Sequence, residues 1–209
     1  MTTLKPKKKS HSVYFGAALF DVKHLVGNAY LAEAIFEKSQ GSYLCHLPQD
    51  AEAGHASPRL ARDRDIRNLF GSDLALFCFD GTELDAGTVV EFMLAKFADI
   101  PSVILRTDIR GGGDQGGPRH DPWNVMASFY PRTVVVRVET LLDYRSLQQK
   151  RLRSIQSDVV RLAGQHASAT AAILSDRLAV QIIRALERVR RLPPHMPSTF
   201  AKRCINGSL

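Results

Sequence analysis

The chain has 209 residues, 44% of them hydrophobic and 23% charged, which fits one globular domain with an appendage and a full core. No apolar run approaches the roughly 18 residues of a membrane helix, and the Lys-rich start, Met1 to Ser10, lacks the apolar stretch and small-residue cleavage site of a secretory leader. A cytoplasmic location is expected. The net charge of +7 raises nucleic acid as a partner, yet the excess sits in a basic disordered tail (1–11) and in arginines of the C-terminal third, with no recognisable nucleic-acid module beside them. Cys45, Cys78 and Cys204 lack C-x-x-C spacing and read as reduced core thiols; the histidines are scattered without metal-ligand spacing, so neither metal nor cofactor is expected.

Short β-rich apolar runs alternate with amphipathic ones. A strand is expected over Ser12 to Ala17, then a helix over Leu25 to Lys38; a second strand over Tyr43 to Leu47, then a helix over Arg59 to Phe70. A third strand, Leu74 to Phe79, precedes a helix over Thr88 to Phe97. The fourth, Ser102 to Arg106, leads through a Gly-rich stretch, 107–121, to a short helix over Pro122 to Tyr130, and the fifth covers Thr133 to Val138. Each run is short enough for a parallel strand buried on both faces, and the alternation implies a doubly wound α/β fold with five parallel strands over residues 12–140. From Leu141 to Leu192 the pattern stays helical with a break near Gly164, read as two helices packing on the domain or on another subunit. Pro193 and Pro194 stop it and open a mobile tail, 193–209.

Ligands of such sheets bind outside the carboxyl ends of the strands. Asp85-Ala86-Gly87-Thr88-Val89-Val90-Glu91 lies there, between the third strand and its helix. Gly87 and Thr88 suit the tight turn, and Glu91, about one turn into the helix, would face the same crevice as Asp85. Two carboxylates so placed can divide the work of a nucleophile and an acid/base group; alone, the heptad also reads as a solvated turn whose acids complement the helix dipole. The Gly-rich stretch lacks the Gly-Lys-Ser/Thr that holds a triphosphate, and reads as a lid or as a plain insertion.

Taken in order, Tyr14-Phe15-Gly16-Ala17 with Phe20 six residues after the tyrosine, Leu47-Pro48-Gln49-Asp50, Asp73 opening the third strand, Asp85 to Glu91, and Asn124-Val125-Met126 resemble the nucleoside 2-deoxyribosyltransferase family, over roughly residues 12–138. The resemblance implies that Glu91 is a covalent nucleophile toward the anomeric carbon. It implies Asp73 and Asp85 as aspartates that contact the nucleobase and handle its proton, and Tyr14 as the residue orienting the nucleophile. Phe20, Gly16, Gln49 and Gly87 would surround the substrate, while Asn124 and Met126 would reach into a neighbouring subunit's site. The implied partners are 2'-deoxynucleosides, free nucleobases and further copies of the chain in a homo-oligomer with a shared active site. A pH dependence governed by Asp73, Asp85 and Glu91 follows.

The chemistry supports these residue types independently. Cleaving an N-glycosidic bond passes through an oxocarbenium-like state that a carboxylate can trap while an acid protonates the departing base. A transferase must also keep water away until the second base arrives. A hydrolase of nucleosides or nucleotides remains open, with Arg106, Arg110 and Arg119 as candidate phosphate ligands. The phosphoribohydrolases that share Gly-Thr-x-x-Glu precede it with Pro-Gly-Gly, where this chain has Leu84-Asp85-Ala86. A non-catalytic nucleotide-sensing or nucleic-acid-binding module is the third reading.

Overall fold

The computed structural model describes residues 10–50, 57–117, 120–152 and 167–197. Strands β1 (His11–Gly16), β2 (Tyr43–His46), β3 (Leu74–Cys78), β4 (Ser102–Arg106) and β5 (Thr133–Arg137) form one parallel sheet in the order β2-β1-β3-β4-β5. Helices α1 (Val22–Lys38), α2 (Pro58–Phe70), α3 (Ala86–Phe97), α4 (Thr140–Leu152) and α5 (Ala167–Arg190) flank it. This is the doubly wound fold expected from the alternation, with its switch point between β1 and β3, where successive connections leave in opposite directions. No described helix is long and apolar enough to cross a membrane.

Side chains alternate across each strand and build two core layers. Val13 and Phe15 of β1, with Leu76, Val103 and Leu105, pack beneath α1 and α5. Tyr14, Ala75, Phe77 and Ile104 point the other way, against α2 and α3 through Leu69, Phe92 and Ala95. Tyr14 is thereby committed to the α3 side of the sheet. Cys45 and Cys78 are free thiols on the strands; burial pushes the Cys45 thiol up to about 12, which makes it inert.

Local chemistry explains where the elements begin and end. Helix α1 starts three residues before the sequence pattern suggests because Asp21 caps it, accepting the N–H groups of Lys23 and His24. The helix expected over Pro122 to Tyr130 shrinks to one 3-10 turn, Val125–Ala127, capped by Asn124 and blocked behind by Phe129 at φ 63°. The expected break near Gly164 lies outside the described residues, as do most of the basic tail (1–9) and residues 198–209.

Helix α5 takes the first of its two expected placements, packing on the domain itself. It buries Ala179, Ile182, Leu186 and Val189 against α1 and the sheet, while Lys38 pairs with Asp176 at 2.6 Å and the Tyr43 hydroxyl donates to Glu187 at 2.6 Å. Beyond it, the segment expected to be mobile from residue 193 is instead anchored at its start. The backbone N–H groups of His195 and Met196 donate to the Asp99 carboxylate at 2.9 and 3.1 Å, and Arg132 Nη1 holds the same carboxylate at 3.0 Å. Lys96 is buried beside them, its Nζ donating to Ile100 O, Arg132 O and Thr133 Oγ1, and burial pushes it down to about 7.

Truncating Ile182 to Ala in this interface should cost about 3 kcal/mol of unfolding free energy, read from urea denaturation. A loss under about 0.5 kcal/mol would mean that α5 only rests on the domain.

Candidate active site

Strand β3 ends at Cys78, and the chain turns through Asp80 and Asp85 into α3. Asp85 caps that helix: its Oδ2 accepts the Thr88 N–H at 2.8 Å and the Thr88 hydroxyl at 2.9 Å. One turn later Glu91 projects back over the carboxyl end of β1. A Cβ added to Gly16 would stand 2.7 Å from Glu91 Oε2 and 2.7 Å from Phe77 Cδ1, so residue 16 must be glycine for the carboxylate to sit there.

The surroundings of Glu91 set its proton affinity. Burial, first, and the charges of Asp65 and Asp85 push it up to about 7, against the lowering effect of the Tyr14 hydroxyl. Tyr14 is itself held well above the usual phenol range by burial and then by Glu91. The phenol therefore keeps its proton and faces the carboxyl, although Oη is buried without an aligned hydrogen bond. A buried carboxyl that ionises near neutral pH, steered by a protonated phenol, is suited to nucleophilic or acid/base work.

Asp65 of α2 was not singled out in the sequence, yet its charge is felt at both Glu91 and Tyr14. Its Oδ1 is buried without a hydrogen bond, 3.5 Å from Arg64 Nε. In the run Arg62-Asp63-Arg64-Asp65 it looks like one more solvated charge. The signal that could have found it is helical spacing, since Asp65 lies four residues before the fully buried Leu69 and shares its face.

Asp73 requires the opposite correction. It opens β3 at the amino edge of the sheet, where its Oδ2 accepts the Ser12 N–H at 2.9 Å and the Ser12 hydroxyl at 3.1 Å, clamping β1 to β3. A residue before a strand lies at the end opposite the residues after it, on the order of 16 Å away at about 3.3 Å per residue. The expected cluster of Asp73, Asp85 and Glu91 is not formed; the acids gathered with Glu91 are Asp65 and Asp85.

The remaining expected residues divide. Gly87 lies at the start of α3 beside the Asp85 carboxylate. Gln49 follows β2 in a short 3-10 turn, donates from Nε2 to Leu25 O at 2.9 Å, and keeps a buried Oε1 without a partner. Phe20, in the β1–α1 turn, is 81% exposed. Asn124 and Met126 line a cavity of about 450 Å³ with Leu84, Met93 and Trp123, away from the Tyr14–Glu91 pair.

Two of the three candidate phosphate ligands, Arg106 and Arg110, are engaged by the protein itself. Arg106 is buried and donates to the carbonyls of Phe79, Gly81, Asp108 and Arg110. Arg110 binds Asp108 at 2.5 Å and holds that carboxyl well below the usual range. Arg119 lies outside the described residues. The Gly-rich loop is thus fastened at its root, with Asp80 also accepting the N–H groups of Thr107 and Asp108 at 2.6 and 3.0 Å. Among the described residues no His, Cys, Asp or Glu side chains form a set able to hold a metal ion.

No family model matches the chain, and no curated protein matches it. Among solved structures, a conserved protein from Enterococcus faecalis V583 is similar at 27% identity over 64% of this chain and 94% of its own, with a TM-score of 0.52. A 2-deoxyribosyltransferase from Leishmania mexicana is similar at 18% identity over 64% of this chain and 95% of its own, with a TM-score of 0.48. Another, from Bacillus psychrosaccharolyticus, is similar at 14% identity over 47% of this chain and 74% of its own, with a TM-score of 0.40.

The raised proton affinity of Glu91 has a consequence for stability. The folded chain binds a proton at Glu91 up to about pH 7, whereas the unfolded chain releases it near 4.5, so stability falls as pH rises between those values. Glu91→Gln removes this loss. The variant should gain up to about 3 kcal/mol relative to wild type between pH 4 and pH 8 in urea unfolding. A stability difference that stays constant over that window means that the carboxyl is not held protonated.

Proposed function

We propose that the chain is a nucleoside 2-deoxyribosyltransferase, exchanging the nucleobase of a 2'-deoxyribonucleoside through a covalent deoxyribosyl ester on Glu91. The observation that carries this reading is the Glu91 carboxyl seated against Gly16 at the switch point, faced by the Tyr14 phenol. The ordered motifs that resemble the family support it. Glu91 attacks C1' as the bond to the base breaks, and the bond electrons leave with the base, which takes a proton from an acid. Asp65 and Asp85 are the acids within electrostatic reach; Asp85 commits only Oδ2 to capping α3. A second base then attacks C1', loses its proton to the same acid, and frees the carboxylate.

In this reading Phe20 stacks on the base, Gln49 offers its unpartnered Oε1 to a base N–H, and Gly16 and Gly87 leave room for the sugar. Asn124 and Met126 complete the site of a second subunit. The exposure of the Phe20 turn favours one other reading, an N-glycoside hydrolase in which water replaces the acceptor base. Arg106 and Arg110, spent on carbonyls and on Asp108, speak for a nucleoside over a nucleotide in either case.

The deciding experiment incubates the protein with a 2'-deoxynucleoside and a different free base and separates the products by chromatography. A new nucleoside is expected; free sugar alone would identify the hydrolase, and neither product would overturn both. Glu91→Ala should lower the rate by about 10³-fold or more, the cost of losing a nucleophile. Retention of near wild-type turnover would refute the covalent assignment.

Asp65→Asn and Asp73→Asn separate the two aspartates. The first should slow exchange by roughly 10²-fold, the usual contribution of a proton-transfer group, with the fold intact. The second should cost about 1 kcal/mol of stability with unchanged turnover per folded molecule, because it loosens only the Ser12 clamp. The reverse pattern would return Asp73 to the site.

A further inference from the structure

Helix α5 sorts its charges by flank. Its inward line, Ala179, Ile182, Leu186 and Val189, belongs to the core. Its two acids lie toward α1 and β2 and are taken up there: Asp176 by Lys38 at 2.6 Å, and Glu187 by the Tyr43 hydroxyl at 2.6 Å and by Arg190 at 2.9 Å. The outward line is arginine. Arg177, Arg184, Arg188 and, in the turn that follows, Arg191 recur at intervals of seven, four and three residues, which keeps them on one face of a helix opposite the buried line. All four are exposed. Arg177 reaches Asp143 at 3.6 Å and Arg191 reaches Glu187 at 3.6 Å, while Arg184 and Arg188 pair with no carboxylate among the described residues. Cations near a helix C-terminus complement its dipole, but that effect fades within the last turn. Arg177 and Arg184 stand thirteen and six residues before Arg190, beyond its reach.

We propose that this arginine row docks the phosphodiester backbone of a nucleic acid strand. The row is about 21 Å long at 1.5 Å per residue, enough to meet several successive phosphates. Every cation of α5 is an arginine, whose planar fork takes two oxygens of a phosphate at once and is more weakly hydrated than an ammonium. A folded acidic protein is a poorer match, because protein interfaces centre on apolar and aromatic anchors, and among the described residues Val180 is the one large apolar side chain that α5 exposes. A membrane surface fails for a related reason: a helix lying on lipid inserts its apolar face, and that of α5 is spent on the core. The net charge of +7 draws a polyanion toward the chain, and the row offers it a place where the acids have been turned aside. The contact is to the backbone, so it reads no base sequence. Helix α5 begins beside Thr107 at the carboxyl edge and leads to His195 at the amino edge, so the strand lies along the α1 and α5 layer, on the other side of the sheet from Tyr14 and Glu91. Nothing in this rests on the transferase reading.

The test is fluorescence anisotropy of labelled single strands of about 20 nucleotides, one DNA and one RNA, titrated with the full chain at about 50 and 200 mM salt. Binding in the micromolar range at the lower salt is expected, alike for two unrelated base sequences. Four engaged arginines should weaken it about 50-fold at the higher salt, from a slope of about −0.7 per phosphate. Arg184→Gln with Arg188→Gln should reduce the magnitude of that slope by about 1.4, with circular dichroism and melting temperature unaltered. Arg59→Gln with Arg62→Gln, equally exposed but on α2, should leave it unchanged. Binding that both strands share supports the backbone contact, and binding by one alone identifies which nucleic acid is held. No binding at the lower salt overturns the proposal. So does a slope that survives the Arg184 and Arg188 pair but is lost when Lys7, Lys8 and Lys9 are changed to Ala, which would assign the contact to the basic tail. Tighter binding to polyglutamate, or to vesicles containing phosphatidylserine, than to either strand overturns it as well.

Discussion

The space that a side chain at position 16 would fill is taken by the carboxylate of Glu91. The rest of the site depends on this one exchange of volume. A carboxyl lodged between the end of β1 and Phe77 loses water, so its proton affinity climbs toward neutrality. The alternation of β1 then puts Tyr14, two residues earlier, on the same side of the sheet as the glycine and the carboxyl. The cap at Asp85 fixes the start of α3 and hence the rotation at which Glu91 emerges. Glycine, phenol, cap and carboxyl form one mechanical unit, and each is placed by the strand or helix it belongs to.

Charge is handled differently at the two edges of the sheet. At the amino edge the ionic groups are closed off: Arg132 on Asp99, Lys96 on two carbonyls and a hydroxyl, Asp73 on Ser12. At the carboxyl edge the Glu91 carboxyl faces the Tyr14 phenol, and burial with the charges of Asp65 and Asp85 raises its proton affinity. Arg106 serves as scaffold by spending its guanidinium on four carbonyls, which ties the turn after β3 to the root of the Gly-rich loop.

Much of this was legible in the sequence because periodicity and burial coincide. The five strands are continuous apolar runs since helices cover both faces, and Asp85 and Glu91 stand out because they break that apolar context at a strand end. Asp65 was hidden because its neighbours on α2 are charged and solvated, so one inward acid does not disturb the pattern. Asp73 misled because proximity to a strand in sequence does not say which end it occupies. The short helix after the Gly-rich loop failed at Phe129, whose left-handed backbone no propensity announces, and which of its two expected partners α5 takes was not legible because α1 and the sheet lie far back in the chain.

The anchoring of His195 and Met196 on Asp99 brings the chain back to the amino edge, the same edge at which β1 begins. Residues 10 and 197 therefore leave the domain on the side facing away from Glu91. Any surface, tether or fused domain joined through either point would hold the protein by its base and present the crevice outward.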